Sequence, residues 1–203
     1  MRAEARRQQI LDAATAAFAG LGYQRSSIAV VCERAGIARG TLYQYFRDKQ
    51  DLFRAVLEQY SARIRALVAP PTSDELATAD VATLIRDRLR AIFAEIAAER
   101  EVYRILFNEA RAADAETRDL VDLVHQRLID QLQQTFSALR DLGEAQIDDA
   151  RLAAEFAIGG VLQIAASHIL NDDSPVDADA LADATARFAV RLILPPLSTG
   201  GTP

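Results

Sequence analysis

The segment from Ser27 to Lys49 carries the side chains of this 203-residue chain that are best suited to recognising another macromolecule. Within it, a predicted short helix from Ala38 to Phe46 has Leu42 and Phe46 on one face. Its other side carries Gly40, Gln44 and Arg47, flanked by Arg39, Thr41 and Tyr43. Arginine can donate two hydrogen bonds to guanine, glutamine can pair with adenine, and threonine can touch a thymine methyl or a phosphate. This pattern indicates a helix that enters the major groove of DNA.

The preceding residues predict a second short helix, joined to the first by a glycine turn. Ser27 is placed to cap its N-terminus, and Gly36 follows its last apolar residue, where a left-handed conformation commonly ends a helix. Together the two helices predict a helix-turn-helix motif at residues 27–46. The apolar side of the earlier helix has the spacing of an amphipathic helix and consists of Ile28, Val31, Cys32 and Ala35.

Two further helices flank this motif. After it, Asp48 is placed to cap a fourth helix, with Asp51 three residues later as in an acidic capping box. Lys49, the only lysine of the chain, lies in the first turn of that helix. Its charge opposes the helix dipole there unless an anion lies nearby, although an ordinary solvated lysine is the alternative. Before the motif, a first helix ending near Gly20 and Gly22 is predicted from Ile10, Leu11, Ala14, Phe18 and Leu21.

These segments resemble the DNA-binding domain of the TetR family of transcriptional repressors. The resemblance covers residues 3 to about 60 and is carried by RRQQILDAATAAFAGLGYQRSS, AGIARGTLYQYF and DKQDL. The remainder is similar to the family only in size and helical character. The resemblance implies a homodimer that binds a palindromic operator in double-stranded DNA. It also implies that a small-molecule effector enters a C-terminal helical domain and releases the DNA.

The resemblance further implies, position by position, which residues contact DNA. Ala38 stands where a serine is common in the family, which removes one candidate cap or phosphate donor at the start of the recognition helix. The implied contacts are Ser26, Ser27 and Lys49 to phosphate, Arg39, Gly40, Thr41 and Gln44 to bases, and Tyr43 and Tyr45 to the DNA backbone.

Charge is distributed unevenly along the chain. Residues 1–65 contain eleven Arg or Lys against six Asp or Glu, a net charge of +5, whereas residues 66–203 contain twelve against twenty-three, a net charge of −11. The two add up to the −6 of the whole chain. An acidic chain ordinarily disfavours nucleic acid, yet here the positive charge is confined to the segment with the helix pair. Two segments of different composition with no partner are the alternative.

Composition predicts an all-α protein. Half of the residues are hydrophobic, and the alternating β-branched runs of strands are almost absent. One cysteine excludes an intramolecular disulfide, and the basic N-terminus lacks the apolar region of a signal peptide, which favours a cytoplasmic location. His125 and His168 lie far apart, and neither a nucleophile elbow nor a phosphate-binding loop occurs. We therefore expect no metal, no cofactor and no enzyme activity.

Helical periodicity predicts about nine helices in all. The fourth keeps one apolar stripe from Leu52 to Val68, before Pro70 and Pro71. Later helices are expected at 81–98, 102–112, 117–139, 148–170 and 178–194. The expected organisation is a three-helix DNA-binding domain with its connecting helix at residues 3–63, followed by a helical effector-binding and dimerisation domain at residues 64–203.

Two adjacent glycines interrupt the predicted helix 148–170. Gly159 and Gly160 each cost about 1 kcal/mol relative to alanine, so close approach of another helix is expected to compensate. With Phe156 and Ile164 they form the expected dimer interface, since the family packs its last two helices into a four-helix dimer bundle. A kink that shapes a cavity is the alternative. A membrane span is disfavoured because polar residues interrupt the apolar run, namely Glu155, Gln163, Ser167 and His168.

An effector pocket is expected among the fourth to eighth helices. Polar and aromatic residues at core-like spacing are the candidates, although most residues of this kind serve packing. Little charge occurs among them, which favours a largely apolar effector, and Arg104 and His125 could orient a carboxylate or hydroxyl. The candidates are Phe93, Tyr103, Arg104, Phe107, Asn108, His125 and Gln163.

The function predicted from the sequence is a ligand-responsive, sequence-specific transcriptional repressor. A structural DNA-binding protein without an effector shares the N-terminal features and is one alternative. A helical enzyme is another, with less support because no catalytic motif occurs. A small molecule that raises the melting temperature by binding the folded state separates the repressor from the structural protein.

Overall fold

The computed structural model of the protein describes residues 2–104, 115–171 and 176–193. Within these ranges the chain is helical and contains no strand, which confirms the predicted fold class. Residues 100–104 are helical up to the first gap, and Ala166–Leu170 form a π-helical turn. The labelled helices are α1 (Arg2–Leu21), α2 (Ile28–Ala35), α3 (Arg39–Tyr43), α4 (Lys49–Leu67), α5 (Ser73–Thr78), α6 (Val81–Ala98), α7 (Ala115–Asp141), α8 (Ala150–Ala165) and α9 (Ala178–Ile193).

The chain divides into two compact units. The first comprises Met1–Arg63 and Glu99–His125, and the second comprises Ile64–Ala98 and Gln126–Pro203. Within the first unit, Tyr103 packs edge-on against Tyr60, with ring centroids 5.8 Å apart, and Arg63 pairs with Glu99 at 3.5 Å.

The core of the first unit is built from the apolar sides of its helices. Phe18 of α1 and Phe53 of α4 meet edge to face, with ring centroids 5.4 Å apart, and Tyr23 from the intervening loop joins them. The side chains buried from α1 to α4 include Ile10, Leu11, Ala14, Val31, Cys32, Ala35, Leu42, Phe46, Leu52, Val56 and Leu57.

The ends of α2 have the predicted chemistry. The Ser27 side chain accepts a hydrogen bond of 3.3 Å from the Val30 amide, and Gly36 has a φ of 62°. That left-handed conformation lets the Gly36 and Ile37 amides bond back to the last turn of α2. The chain therefore turns at Gly36 and enters α3 after two residues.

The second unit has its own core, to which α6, α7 and α8 contribute. Ala154 and Ile158 of α8 are buried against Ile129 and Phe136 of α7. The buried hydroxyl of Thr135 donates a hydrogen bond of 2.6 Å to the carbonyl of Val68, which satisfies an acceptor beyond the end of α4.

Two elements outside α1–α4 differ from the sequence-based expectation. The loop expected after Pro71 contains α5, whose N-terminus is a capping box in which Thr72 and Glu75 bond to each other's backbone amides at 3.2 and 2.7 Å. The helix predicted at 148–170 starts at Ala150 behind the cap Asp149 and changes to π-helical geometry at Ala166. It remains helical through the two glycines.

Candidate nucleic-acid interface

Helix α3 separates its buried and exposed side chains as predicted. Leu42 and Phe46 are 0% and 3% exposed, and they fix the helix against the core of the first unit. The guanidinium of Arg7 also lies 5.2 Å from the centre of the Phe46 ring. Arg39, Gly40, Tyr43, Gln44 and Arg47 are exposed, and Thr41 and Tyr45 are partly exposed. The side of α3 that faces away from the core therefore carries hydrogen-bonding groups.

Helix α3 is shorter than the nine residues expected from Ala38 to Phe46. It has regular geometry only from Arg39 to Tyr43, and no side chain caps it at Ala38, as the departure from the family pattern predicts. The backbone amides of Tyr45 and Phe46 donate hydrogen bonds of 2.9 and 3.0 Å to the carbonyl of Leu42, and these bonds tighten the end of the helix. This tight end carries Phe46 back into the core.

The two serines before α2 have different environments, which corrects the prediction for Ser26. Ser26 is 3% exposed, and its hydroxyl bonds to the carbonyls of Ala17 at 3.0 Å and Gly22 at 2.8 Å. A buried hydroxyl engaged in this way anchors the loop and does not face a phosphate. Ser27 is exposed, and because its oxygen only accepts from Val30, its hydroxyl proton can point outward.

The junction between α3 and α4 is held by two aspartates. The Asp48 carboxylate accepts a bond of 2.7 Å from the Asp51 amide, as predicted for the cap of α4. Asp51 reaches back one residue further than a capping box requires, since its carboxylate accepts from the Arg47 amide at 3.1 Å. This backbone bond, together with the side-chain bond and charge of Arg47, lowers the pKa of Asp51. Arg47 itself stays 76% exposed while it pairs with Asp51 at 3.4 Å.

Lys49 is held at the first turn of α4 by the loop that follows α1. Its Nζ lies 4.2 Å from the centre of the Tyr23 ring and donates a hydrogen bond of 3.3 Å to the carbonyl of Gln24. The side chain is partly exposed. The ammonium of the only lysine in the chain therefore has a defined position beside the helix pair.

The predicted effector residues are distributed over both units. Phe93 is fully buried in the second unit. Tyr103 is buried in the first unit against Tyr60, and Arg104 pairs with Glu101 at 3.1 Å. Phe107 and Asn108 lie outside the described residues.

The remaining two effector candidates have contrasting environments. His125 is half-buried, and its Nε2 has no hydrogen-bond partner among the residues that the structure describes. Gln163 is exposed on α8, where its amide donates to the Ser167 hydroxyl at 3.0 Å. Because Gln163 faces outward, it does not line a cavity of its own subunit, and the sequence-based placement is corrected here.

An open cleft of about 530 Å³ lies in the first unit, beside α1 and the end of α2. Its walls include Gln8, Gln9, Asp12 and Arg34. None of these residues belongs to the exposed side of α3 or to the effector candidates. We assign no effector to this cleft.

The outward side of α8 carries large apolar side chains next to the two glycines. Phe156 is 67% exposed and Leu152 is 62% exposed, and a Cβ added at Gly159 or Gly160 would meet no atom within 4 Å. We call these four residues the apolar face of α8. The predicted member Ile164 is only half-exposed. Leu152 was missed, although its spacing of four residues from Phe156 was readable, and so was Phe188 of α9, which is 70% exposed.

In the described part of the chain, the stretch Ala150–Leu170 is long and apolar enough to cross a membrane by length and composition alone. Its outward side includes the charged residue Glu155 and the polar residues Gln163 and His168. Charged and polar side chains of this kind are costly inside a lipid bilayer. Among the described residues, no cluster of potential metal ligands occurs.

Comparison with known proteins identifies the class. The family model described as bacterial regulatory proteins, tetR family, matches residues 10–56, which include α2, α3 and most of α1. The transcriptional activator FasR of Mycolicibacterium smegmatis is 28% identical over 186 residues, which cover 91% of this chain and 81% of the relative. The fatty acid metabolism regulator protein of Bacillus subtilis is 22% identical, covering 81% of this chain and 84% of the relative.

The fold agrees with this assignment. The solved structure of the transcriptional regulator FadR from Bacillus subtilis, in complex with stearoyl-CoA, superposes with a TM-score of 0.72 at 23% identity, covering 90% of this chain and 97% of that one. The chain contains a domain of the tetR family of bacterial regulatory proteins, at residues 10–56. It is a DNA-binding transcriptional regulator and not an enzyme, as the sequence predicts.

Proposed function

We propose that the protein is a homodimeric repressor that inserts α3 of each subunit into successive major grooves of a palindromic operator. The observation that carries this proposal is the side of α3 opposite Leu42 and Phe46, which presents groups able to read bases. Two-fold symmetry then places the half-sites about 34–36 Å apart. In this proposal residues 3–63 bind DNA, and residues 64–203 bind the effector and form the dimer.

The proposed DNA contacts divide into two groups. Arg39, Gly40, Thr41 and Gln44 face the bases, whereas Ser27, Tyr43, Tyr45 and Lys49 contact the sugar-phosphate backbone. The exposure of Arg39 and Gln44 supports the first role, and the fixed ammonium of Lys49 supports the second. Ser26 is left out because its hydroxyl is buried.

Selection of bound sites from random duplexes tests the operator proposal, and two variants test the division of roles. Arg39→Ala should weaken the selected site by about 1–3 kcal/mol and relax its sequence. Lys49→Ala should weaken all sequences alike and lower the salt slope by about one. Arg140→Ala removes an exposed arginine of the second unit and serves as the matched control. If Arg39→Ala and Lys49→Ala behaved identically on selected and random DNA, the division of roles would be wrong.

The dimer is proposed to form through the apolar face of α8 together with the exposed Phe188 of α9. Exposed phenylalanine and leucine side chains are unfavourable in water, and mid-helix glycines allow two backbones to approach closely. Both features are explained at once by a second copy of the chain. A closed two-fold dimer also matches a palindromic operator.

The effector is proposed to be a long-chain acyl-CoA. The names of the Bacillus subtilis relative and of the solved stearoyl-CoA complex support this class, and an acyl chain agrees with the apolar effector expected from the sequence. Phe93, Tyr103, Arg104, Phe107, Asn108 and His125 are the proposed effector residues. The orphaned Nε2 of His125 supports a polar contact there.

Thermal unfolding and operator binding with stearoyl-CoA, free stearate and free CoA test the effector. Stearoyl-CoA should raise the melting temperature and release the operator, and operator DNA should weaken its binding by the same factor. Stabilisation by stearate but not by stearoyl-CoA would indicate a free fatty acid. No effect of any of the three would favour a structural DNA-binding protein.

Transcription from an operator-bearing template tests the sign of regulation. Because FasR is an activator by name, activation is the alternative outcome. We expect added protein to lower the transcript level and the effector to restore it. The proposed location is the cytoplasm, where a bacterial regulator meets its operator.

A further inference from the structure

Two contacts of the Lys49 ammonium come from one loop. Nζ lies 4.2 Å from the centroid of the Tyr23 ring, and it donates a hydrogen bond of 3.3 Å to the carbonyl of the next residue, Gln24. Gln24 is 25 residues away in sequence. A lysine side chain loses substantial rotamer freedom when it is fixed in this way, so the arrangement must be stabilised by the contacts themselves.

The Tyr23 ring is itself a fixed platform. It packs at 4.3 Å from the Phe53 ring with an interplanar angle of 32°, and it meets Phe18 edge-on at 5.7 Å. Only 7% of the residue is exposed. Gly22, with a φ of 79°, turns the chain directly before it. The face of the ring that Lys49 touches is therefore held by α1 and α4 together.

We propose that Tyr23 is a positioning residue for DNA binding, which holds the ammonium of Lys49 so that it meets a backbone phosphate. This inference rests on the proposed phosphate contact of Lys49. The positive end of the α4 dipole repels a cation at this turn, whereas the ring face and the Gln24 carbonyl both attract one. A phosphate then meets a cation whose rotamer is already selected, which reduces the entropy lost on binding.

A double-mutant cycle of variants at Tyr23 and Lys49 tests this role. Tyr23→Leu removes the ring face and should weaken binding to short double-stranded DNA of mixed sequence by about two- to fivefold. It should also lower the salt slope toward that of Lys49→Met. Tyr23→Phe retains the ring face and should restore both quantities. In the Lys49→Met background, Tyr23→Leu should cause no further loss, because no cation remains to be positioned.

Folding is controlled separately, because Tyr23→Leu also removes packing against Phe18 and Phe53. Thermal unfolding of each variant shows whether it is folded at the assay temperature. Pentafluorophenylalanine at position 23 provides a second variant, since it fills nearly the same volume while its ring face no longer attracts a cation. It should weaken DNA binding by the same factor as expected for Tyr23→Leu, and it keeps the test decisive if Tyr23→Leu does not fold.

The outcomes separate this inference from the proposed function. Full-length wild-type protein that binds no duplex overturns both. If Lys49→Met weakens binding but Tyr23→Leu and the fluorinated variant weaken it equally in both backgrounds, Tyr23 acts through the core alone and only this inference is wrong. Unchanged affinity in Lys49→Met removes the phosphate contact and the positioning role with it.

Discussion

Replacing Phe156 with alanine tests whether the apolar face of α8 is the dimer interface. A phenylalanine side chain buries about 150–250 Å² when it is covered. Because 67% of Phe156 is exposed, roughly 100–170 Å² is available to a partner. At about 25 cal/mol per Å², this area corresponds to about 2.5–4 kcal/mol. A two-fold dimer contains the contact twice, so the upper bound on the loss is about 5–8 kcal/mol.

The expected result lies within this bound and is a rise of roughly 10³-fold in the dissociation constant of the dimer. Sedimentation equilibrium over a range of protein concentrations measures it. Leu142→Ala is the matched control, because Leu142 is also a large apolar residue, 61% exposed, but lies in the turn after α7. Circular dichroism should show unchanged helix content in both variants. A dimer constant within threefold of wild type, or an equal loss in both variants, would refute the interface.

Three further predictions follow from individual contacts. Gly160→Ala should stabilise the helix by about 1 kcal/mol, because the added methyl meets nothing in its own subunit, but it should weaken the dimer, because the methyl meets the partner helix. Chemical unfolding should therefore show a gain in stability and dimer dissociation a loss of affinity. A gain in both stability and dimer affinity would exclude a close helix crossing there. Ser26→Ala should lower stability by about 1–3 kcal/mol in urea unfolding and leave the DNA affinity of the folded fraction unchanged, whereas Ser27→Ala, the adjacent control, should lower both. Because the Arg47 amide lowers the pKa of Asp51, the stability that this carboxylate contributes is present above about pH 4 and is lost as the pH falls through the folded-state pKa. The difference in free energy of urea unfolding between wild type and Asp51→Asn should therefore become smaller in acid. A difference that does not change with pH would contradict the assignment.

The helix pair could be predicted because its signals are local. Leu42 and Phe46 are four residues apart, and both are buried as their spacing requires. Gly36 follows directly after the last buried residue of α2, and its left-handed φ is the conformation that glycine adopts without strain. The capping box of Thr72 and Glu75 is equally local, but the six-residue helix that it begins was predicted to be a loop.

The environment of single residues could not be predicted where it depends on distant parts of the chain. Ser26 and Ser27 are adjacent and chemically identical, yet the hydroxyl of Ser26 donates to the carbonyls of Ala17 and Gly22, on the far side of the turn that precedes it. The contact of Lys49 with Tyr23 likewise joins residues far apart in sequence. Helical periodicity identifies which side of a helix is apolar but not whether a neighbour in the same subunit covers it, so the exposure of Phe188 had to come from the structure.

The shortness of α3 explains why base recognition should depend on the dimer proposed to form through the apolar face of α8. With regular geometry over only Arg39–Tyr43, one subunit offers few base contacts, and each bidentate contact discriminates by about 1–3 kcal/mol. Contacts from Arg39 and Gln44 alone would give roughly 2–6 kcal/mol, whereas specific DNA binding commonly needs about 4–10 kcal/mol. Two copies reach that range. Loss of the apolar face of α8 should therefore abolish discrimination between selected and random DNA before it abolishes the salt-dependent attraction of the basic N-terminal segment.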